Sequence, residues 1–125
     1  MRFGPPVPLL RIFDEAQAMA CYVDWLGFKQ DWQHRFGPDF PLYAQISRGA
    51  AVLHLTGHWG DCTPGARVRI EVDDIEGLAA DLAGRPNRFM RPGIEDQPWA
   101  RELAVLDPFG NRLVFWQSLP QASPG

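Results

Sequence analysis

An α+β fold, two βαβββ modules whose curved mixed sheets surround a groove, is predicted by three observations on this 125-residue chain. The order strand, helix, strand, strand, strand occurs twice. The two strand-to-helix junctions echo each other: RIFDEAQAM (11–19) and EVDDIEGLA (71–79) both run an extended segment into an Asp placed to cap a helix. The length and the 46% apolar content suit a chain that sustains its own core. The expectation is a single domain over 1–125, with modules at about 7–56 and 66–117.

Each element has its own warrant. VPLLRIF (7–13) reads as a buried strand. Asp14 then caps a helix with acidic residues in its first turn, an apolar stripe of Met19, Tyr22, Val23 and Leu26, and a stop at Gly27. FKQDWQHRF (28–36) alternates Phe28, Trp32 and His34 against Lys29, Asp31 and Arg35 with an imperfect period of two, so it is read as a strand. GPDFP is a turn, and LYAQIS and AAVLHLT are strands joined at Arg48-Gly49. GHWGDCTPG (57–65) is a loop before the order restarts. ARVRIEV (66–72) is a strand, Asp74 caps a helix bearing Ile75, Leu78 and Leu82, and Gly84 ends it. RFMRPG (88–93) is a short extended piece and IEDQP a turn. WARELAVL (99–106) and NRLVFWQ (111–117) are strands around the β-turn DPFG, and SLPQASPG is a frayed tail.

The bulk properties exclude several classes. A net charge of −3 argues against a nucleic-acid partner and favours a cationic small molecule. No apolar run reaches membrane-spanning length, and MRFGPPVPLL lacks a signal-peptide pattern, so the chain is expected to be cytoplasmic. Cys21 and Cys62 are read as free thiols.

The segment HLTGHWGD (54–61) poses the main chemical question. His54 and His58 have the spacing that would align two metal ligands on a helix. On a strand their Cα atoms stand about 13 Å apart, too far to share an ion. A bend at Gly57 would bring His58 and Asp61 closer, so a His-His-Asp site is the alternative.

The two-module order, FDEAQAMACYVDWLGF near the start and VLDPFGNRLVFWQ at the end resemble the vicinal oxygen chelate superfamily of glyoxalases, extradiol dioxygenases and bleomycin-resistance proteins. The likeness spans residues 7–117 and is strongest to the bleomycin-resistance group. It implies one metal ligand from each of four strands. The matching positions here are Val7, His54, Arg67 and Val114, so the superfamily's metal is not expected, and no cofactor is. Arg67 is left to pair with a carboxylate or to meet an anionic group.

The resemblance also implies aromatic residues that stack on a flat ligand. Trp32 and Trp99 occupy those positions, whereas Trp25 is assigned to the core. Trp59 is read as a lid or as simply exposed, and Trp116 as a groove or interface residue. Phe36, Phe40 and Tyr43 line the groove mouth or form a satellite core. Asp31, Asp61 and Glu102 are acidic candidates to meet a cation. The expected ligand-binding set is Trp32, Trp99, His54, Trp59, Asp61, Arg67 and Trp116. The reading is a metal-independent homodimeric binder of the bleomycin-resistance type that sequesters a planar, cationic ligand such as a bleomycin-type glycopeptide, with no catalytic residues. The alternative is a glyoxalase-like lyase or isomerase whose metal is held by an unusual ligand set including His54.

Overall fold

The computed structural model describes residues 1–86 and 90–120. Strand β1 (Leu9–Arg11) leads into helix α1 (Glu15–Met19), which widens without a break into π-helical turns over Ala20–Trp25. Strands β2 (Lys29–His34), β3 (Tyr43–Arg48) and β4 (Ala51–Thr56) complete the first module. The second repeats the order with β5 (Arg67–Glu71), α2 (Ile75–Gly84), β6 (Ile94–Asp96), β7 (Ala100–Leu106) and β8 (Arg112–Ser118). The two four-stranded sheets have matching orders, β1-β4-β3-β2 and β5-β8-β7-β6. In each, the first strand runs parallel to the last and the other pairs are antiparallel. The α+β fold of two mixed sheets is therefore as the sequence predicts.

The helix starts are the ones expected. Asp14 accepts from the Gln17 amide at 2.8 Å, and Asp74 from the Gly77 amide at 3.0 Å. Gly27 ends the first helix at φ +75, a conformation that suits glycine, and a Cβ there would meet the Arg48 guanidinium at 2.8 Å. Other details differ. The buried stripe of the first helix is Ala18, Cys21, Tyr22, Trp25 and Leu26, while Met19 and Val23 are only half-buried. The π turns cause this: the Leu26 amide bonds to the Cys21 carbonyl, one residue further back than in an α-helix. Gly84 lies within α2, and Arg85 is the cap. The turn expected at IEDQP is instead led by strand β6, because Ile94, Glu95 and Asp96 pair with Leu103, Glu102 and Arg101. The extended piece expected at 88–93 begins in 87–89, and the tail ends in 121–125; both of those stretches lie outside the described residues.

One apolar cluster draws on both modules, from Leu10, Ile12, Leu53 and Leu55 to Leu103, Val105 and Leu113. Trp25 is wholly buried in it, and its indole N–H donates to the Leu82 carbonyl at 3.2 Å, tying the two helices together. Asp107, 5% exposed, links the modules more tightly. Its carboxylate accepts from the Tyr22 hydroxyl at 2.6 Å and, at 2.8 Å each, from the Phe109 amide, the Asn111 amide and Asn111 Nδ2. Asn111 Nδ2 also donates to the Arg11 carbonyl at 2.8 Å. A buried carboxylate is tolerable only when its lone pairs are filled in this way. No helix among the described residues is long and apolar enough to cross a membrane.

Removing one donor from this cluster leaves a buried charge under-satisfied. Tyr22→Phe should therefore lower the unfolding free energy in urea by about 1.5–3 kcal/mol. Burial, aided by the Asp107 charge, pushes the Cys21 thiol from its ordinary value of 9.0 to about 12. A raised folded-state pKa gives stability that is full below the unfolded value and is lost as pH rises through the folded one. Between about pH 9 and about pH 12, stability in urea should thus fall more steeply for the wild type than for Cys21→Ala.

Candidate functional site

The face of the first sheet turned away from the core carries a row set by strand register. Trp32 on β2 stands across from Gln45 on β3, Gln45 from His54 on β4, and His54 from Leu9 on β1. Trp32 reaches this face through a β-bulge. The register shifts between Gln30 and Trp32, so Asp31 is the extra residue. Strict alternation would send Asp31 and Trp32 to opposite faces. Here Asp31 accepts from Gln45 Nε2 at 3.1 Å and from the Ser47 hydroxyl at 3.0 Å, while Trp32 stacks on Tyr43. The bulge accounts for the imperfect period that the sequence shows over 28–36.

Three rings form the wall. Trp32 and Tyr43 lie 8° from parallel with centroids 6.0 Å apart, and His54 meets both edge-on at 5.3 and 5.2 Å. Trp32 remains 43% exposed, which leaves indole surface for a ligand.

A polar chain fixes the histidine. Asp31 can only accept, so it takes the amide N–H of Gln45 and turns Gln45 Oε1 toward His54 Nε2, 3.0 Å away. Nε2 must then carry the proton, and Nδ1 accepts from the Tyr43 hydroxyl at 2.7 Å. The Gln45 and Ser47 bonds, together with the Lys29 ammonium 3.7 Å away, hold the Asp31 carboxyl below its ordinary range. Burial, with the Asp61 charge behind it, raises the Tyr43 phenol.

This arrangement does not fit the superfamily's metal. The lone pair of His54 is already engaged by Tyr43. Strand pairing places Leu9 across from His54 on one side and Arg69 across from Val114, which offer no lone pair, and Gln45 on the other side of His54 has its Oε1 turned to the His54 N–H. His58 does not join His54: its ring packs edge-on against Phe36 at 5.3 Å, and its amide donates to the Thr56 hydroxyl. No group of three or more His, Cys, Asp or Glu able to hold a metal occurs among the described residues.

The other residues singled out in the sequence lie apart. Asp61 accepts from the buried Thr56 hydroxyl at 2.7 Å and so fastens the loop after β4. Trp99, 64% exposed, precedes β7 in the second sheet and makes no ring contact with Trp32 among the described residues. Trp116 lies under the Arg69 guanidinium at 5.7 Å, and Arg69 pairs with Glu102 at 2.8 Å. Arg67 is exposed, stands across from Arg112, and has no ion pair among the described residues. Trp59, 92% exposed, lines a separate pocket with Arg11 and Phe13. Sequence reasoning missed Gln45 and Arg69. The alternation Tyr43-Gln45-Ser47 was a usable signal for the first, and Arg69 lies two residues along the strand from the Arg67 that was chosen.

A cavity of 1310 Å³ has none of these predicted residues in its lining. It is a seam between the modules, floored by Val68, Ile70, Val72 and Leu78. Several polar groups around it are committed elsewhere: Arg48 to Leu26 and Asp81, Asp74 to its helix cap, Gln117 to the Ile75 amide.

A family model described as glyoxalase superfamily protein matches residues 1–120. Among solved structures, a bleomycin-binding protein from the bleomycin producer Streptomyces verticillus, complexed with copper(II)-bleomycin, is 28% identical. The match covers 95% of this chain and 99% of that one, with a TM-score of 0.68. A bleomycin-binding protein complexed with bleomycin is 21% identical, covers 94% and 100%, and has a TM-score of 0.71. An antibiotic-binding protein from a Streptomyces species is 22% identical, covers 95% and 100%, and has a TM-score of 0.68. No curated protein matches the sequence significantly.

If Trp32 is a platform and not part of the core, Trp32→Ala should change stability in urea by about 1 kcal/mol or less. Trp25→Ala, by contrast, should cost about 3–5 kcal/mol.

Proposed function

The chain belongs to the glyoxalase superfamily, and from that premise we propose that it is a metal-independent binding protein that sequesters a planar, cationic small molecule against the Trp32 wall. The observation that carries this reading is the state of His54. Both of its ring nitrogens are bonded within the wall, so the superfamily's metal-ligand position serves here to hold aromatic rings in place. The exposed indole supplies a stacking surface, and the ionised Asp31 next to it supplies negative charge. Trp99, Trp116, Asp61 and Arg67 complete the proposed lining, with Arg67 meeting an anionic group of the ligand. Two of the similar structures contain bleomycin, which makes a bleomycin-type glycopeptide the first ligand to try.

We further propose that the chain acts as one domain in a cytoplasmic homodimer, with a second copy covering the apolar seam between the modules. Isothermal titration with metal-free bleomycin, alongside light scattering, tests the reading. The expected result is saturable heat from a species of twice the 14.1 kDa chain mass, with affinity falling about tenfold in Trp32→Ala. Absence of heat at high micromolar bleomycin would reject that ligand, and unchanged affinity in Trp32→Ala would reject the wall. Stoichiometric zinc, nickel or manganese in protein purified without a histidine tag would favour the lyase or isomerase reading instead.

A further inference from the structure

Arg11 is 8% exposed, and its Nη1 is buried with no hydrogen-bond partner among the described residues. Strand pairing explains why it lies where it does. Leu10 and Ile12 enter the core, so Arg11 is turned to the other face of β1, across from Thr56. Its carbonyl is held by Asn111, and its guanidinium lies 4.9 Å over the Phe13 ring. A guanidinium cannot shed its proton, so a desolvated one with an unfilled donor calls for an acceptor. Asp61, the carboxylate of the adjoining loop, forms no ion pair with it and is taken by Thr56.

Arg11 borders a pocket of 420 Å³ whose other walls include Phe13, Trp59, Cys62, Thr63 and Pro64. Burial raises the Cys62 thiol, the Asp61 charge adds to that rise, and the Arg11 charge opposes it. None of these residues belongs to the Trp32–Tyr43–His54 wall.

We infer that this pocket, one row along the same sheet face from the wall and lined by other residues, is an anion site that takes a small aromatic carboxylate. The planar fork of Arg11 matches the two oxygens of a carboxylate. Phe13 and the exposed Trp59 present flat apolar surfaces to a ring. One cation among mostly apolar walls, with the Asp61 carboxylate close by and bonded to Thr56, suits at most a single negative charge and leaves few donors for a more highly charged phosphate.

Cys62 supplies the readout, since Cys21 is wholly buried. Its alkylation by iodoacetamide is followed in the full chain with 2-naphthoate or with neutral 2-naphthamide. Naphthoate should slow the reaction saturably, at a concentration about tenfold lower than the amide requires. Trp59→Ala, a change at a 92% exposed position, should raise the required naphthoate concentration about tenfold, and Trp32→Ala should leave it unchanged. Arg11→Lys keeps the cation but loses the fork and should weaken protection while the fold is retained. Equal protection by acid and amide, no protection by either, or indifference to Trp59→Ala would overturn the site. So would protection that rises with protein concentration alone, because a second copy would then be supplying the acceptor.

Discussion

The carboxylate of Asp107 joins segments that are distant in the chain. Tyr22 lies 85 residues away, and Asn111, bonded to Asp107, reaches back 100 residues to the Arg11 carbonyl. The turn at 107–111 therefore holds both the helix of the first module and the end of β1. This is a strong constraint because a buried carboxylate has no inexpensive alternative arrangement: it is either surrounded by donors or the packing around it fails. Once β1 is pinned, its parallel pairing with β4 fixes Leu9 against His54 and Arg11 against Thr56. The antiparallel ladder then carries that register across to Gln45 and Trp32. The aromatic wall and the Arg11 pocket both inherit their positions from this cluster.

The polar chain on the outer face extends the same logic to protonation. Asp31 decides which way the Gln45 amide points, Gln45 decides which nitrogen of His54 bears the proton, and that choice leaves Nδ1 to accept from Tyr43. A histidine poised as a metal ligand needs its lone pair free and its N–H held by a neighbour. Here the N–H is held, but the lone pair is spent on a phenol whose ring carries Trp32. The position is thus built into an aromatic surface.

Much of the fold was legible because it rests on local chemistry. Asp14 and Asp74 are capping residues at the starts of apolar helices, and Gly27 sits where the chain needs positive φ. Alternation in LYAQIS and AAVLHLT reflects sheet faces that are buried on one side only. What was not legible depends on partners far along the chain. The short β6 exists because β7 offers it an edge, and nothing in IEDQP itself demands a strand. The π turns around Cys21–Trp25 carry no propensity signal. In the candidate site, Trp32 and His54 could be selected as residue types, but the bulge that brings Asp31 and Trp32 to one face was visible only as a flaw in an alternation. Arg11 was hidden inside an apolar run, where a single charge looks like the outward residue of an ordinary strand.

The two modules share a backbone plan and differ in what that plan displays. On the first sheet the outward row is neutral and aromatic, ending in Trp32 beside an ionised Asp31. On the second, the corresponding face has Arg69 spread over Trp116 and paired with Glu102, with Arg67 and Arg112 side by side at one end. A metal that takes donors from both sheets meets a committed imidazole on one and guanidinium groups on the other, and repulsion adds to the shortage of lone pairs. A flat organic cation faces different terms. Stacking needs an exposed ring and a carboxylate within reach, and the first sheet carries both in Trp32 and Asp31. The two outward faces have therefore diverged on a common scaffold, one displaying stacked rings and the other guanidinium groups.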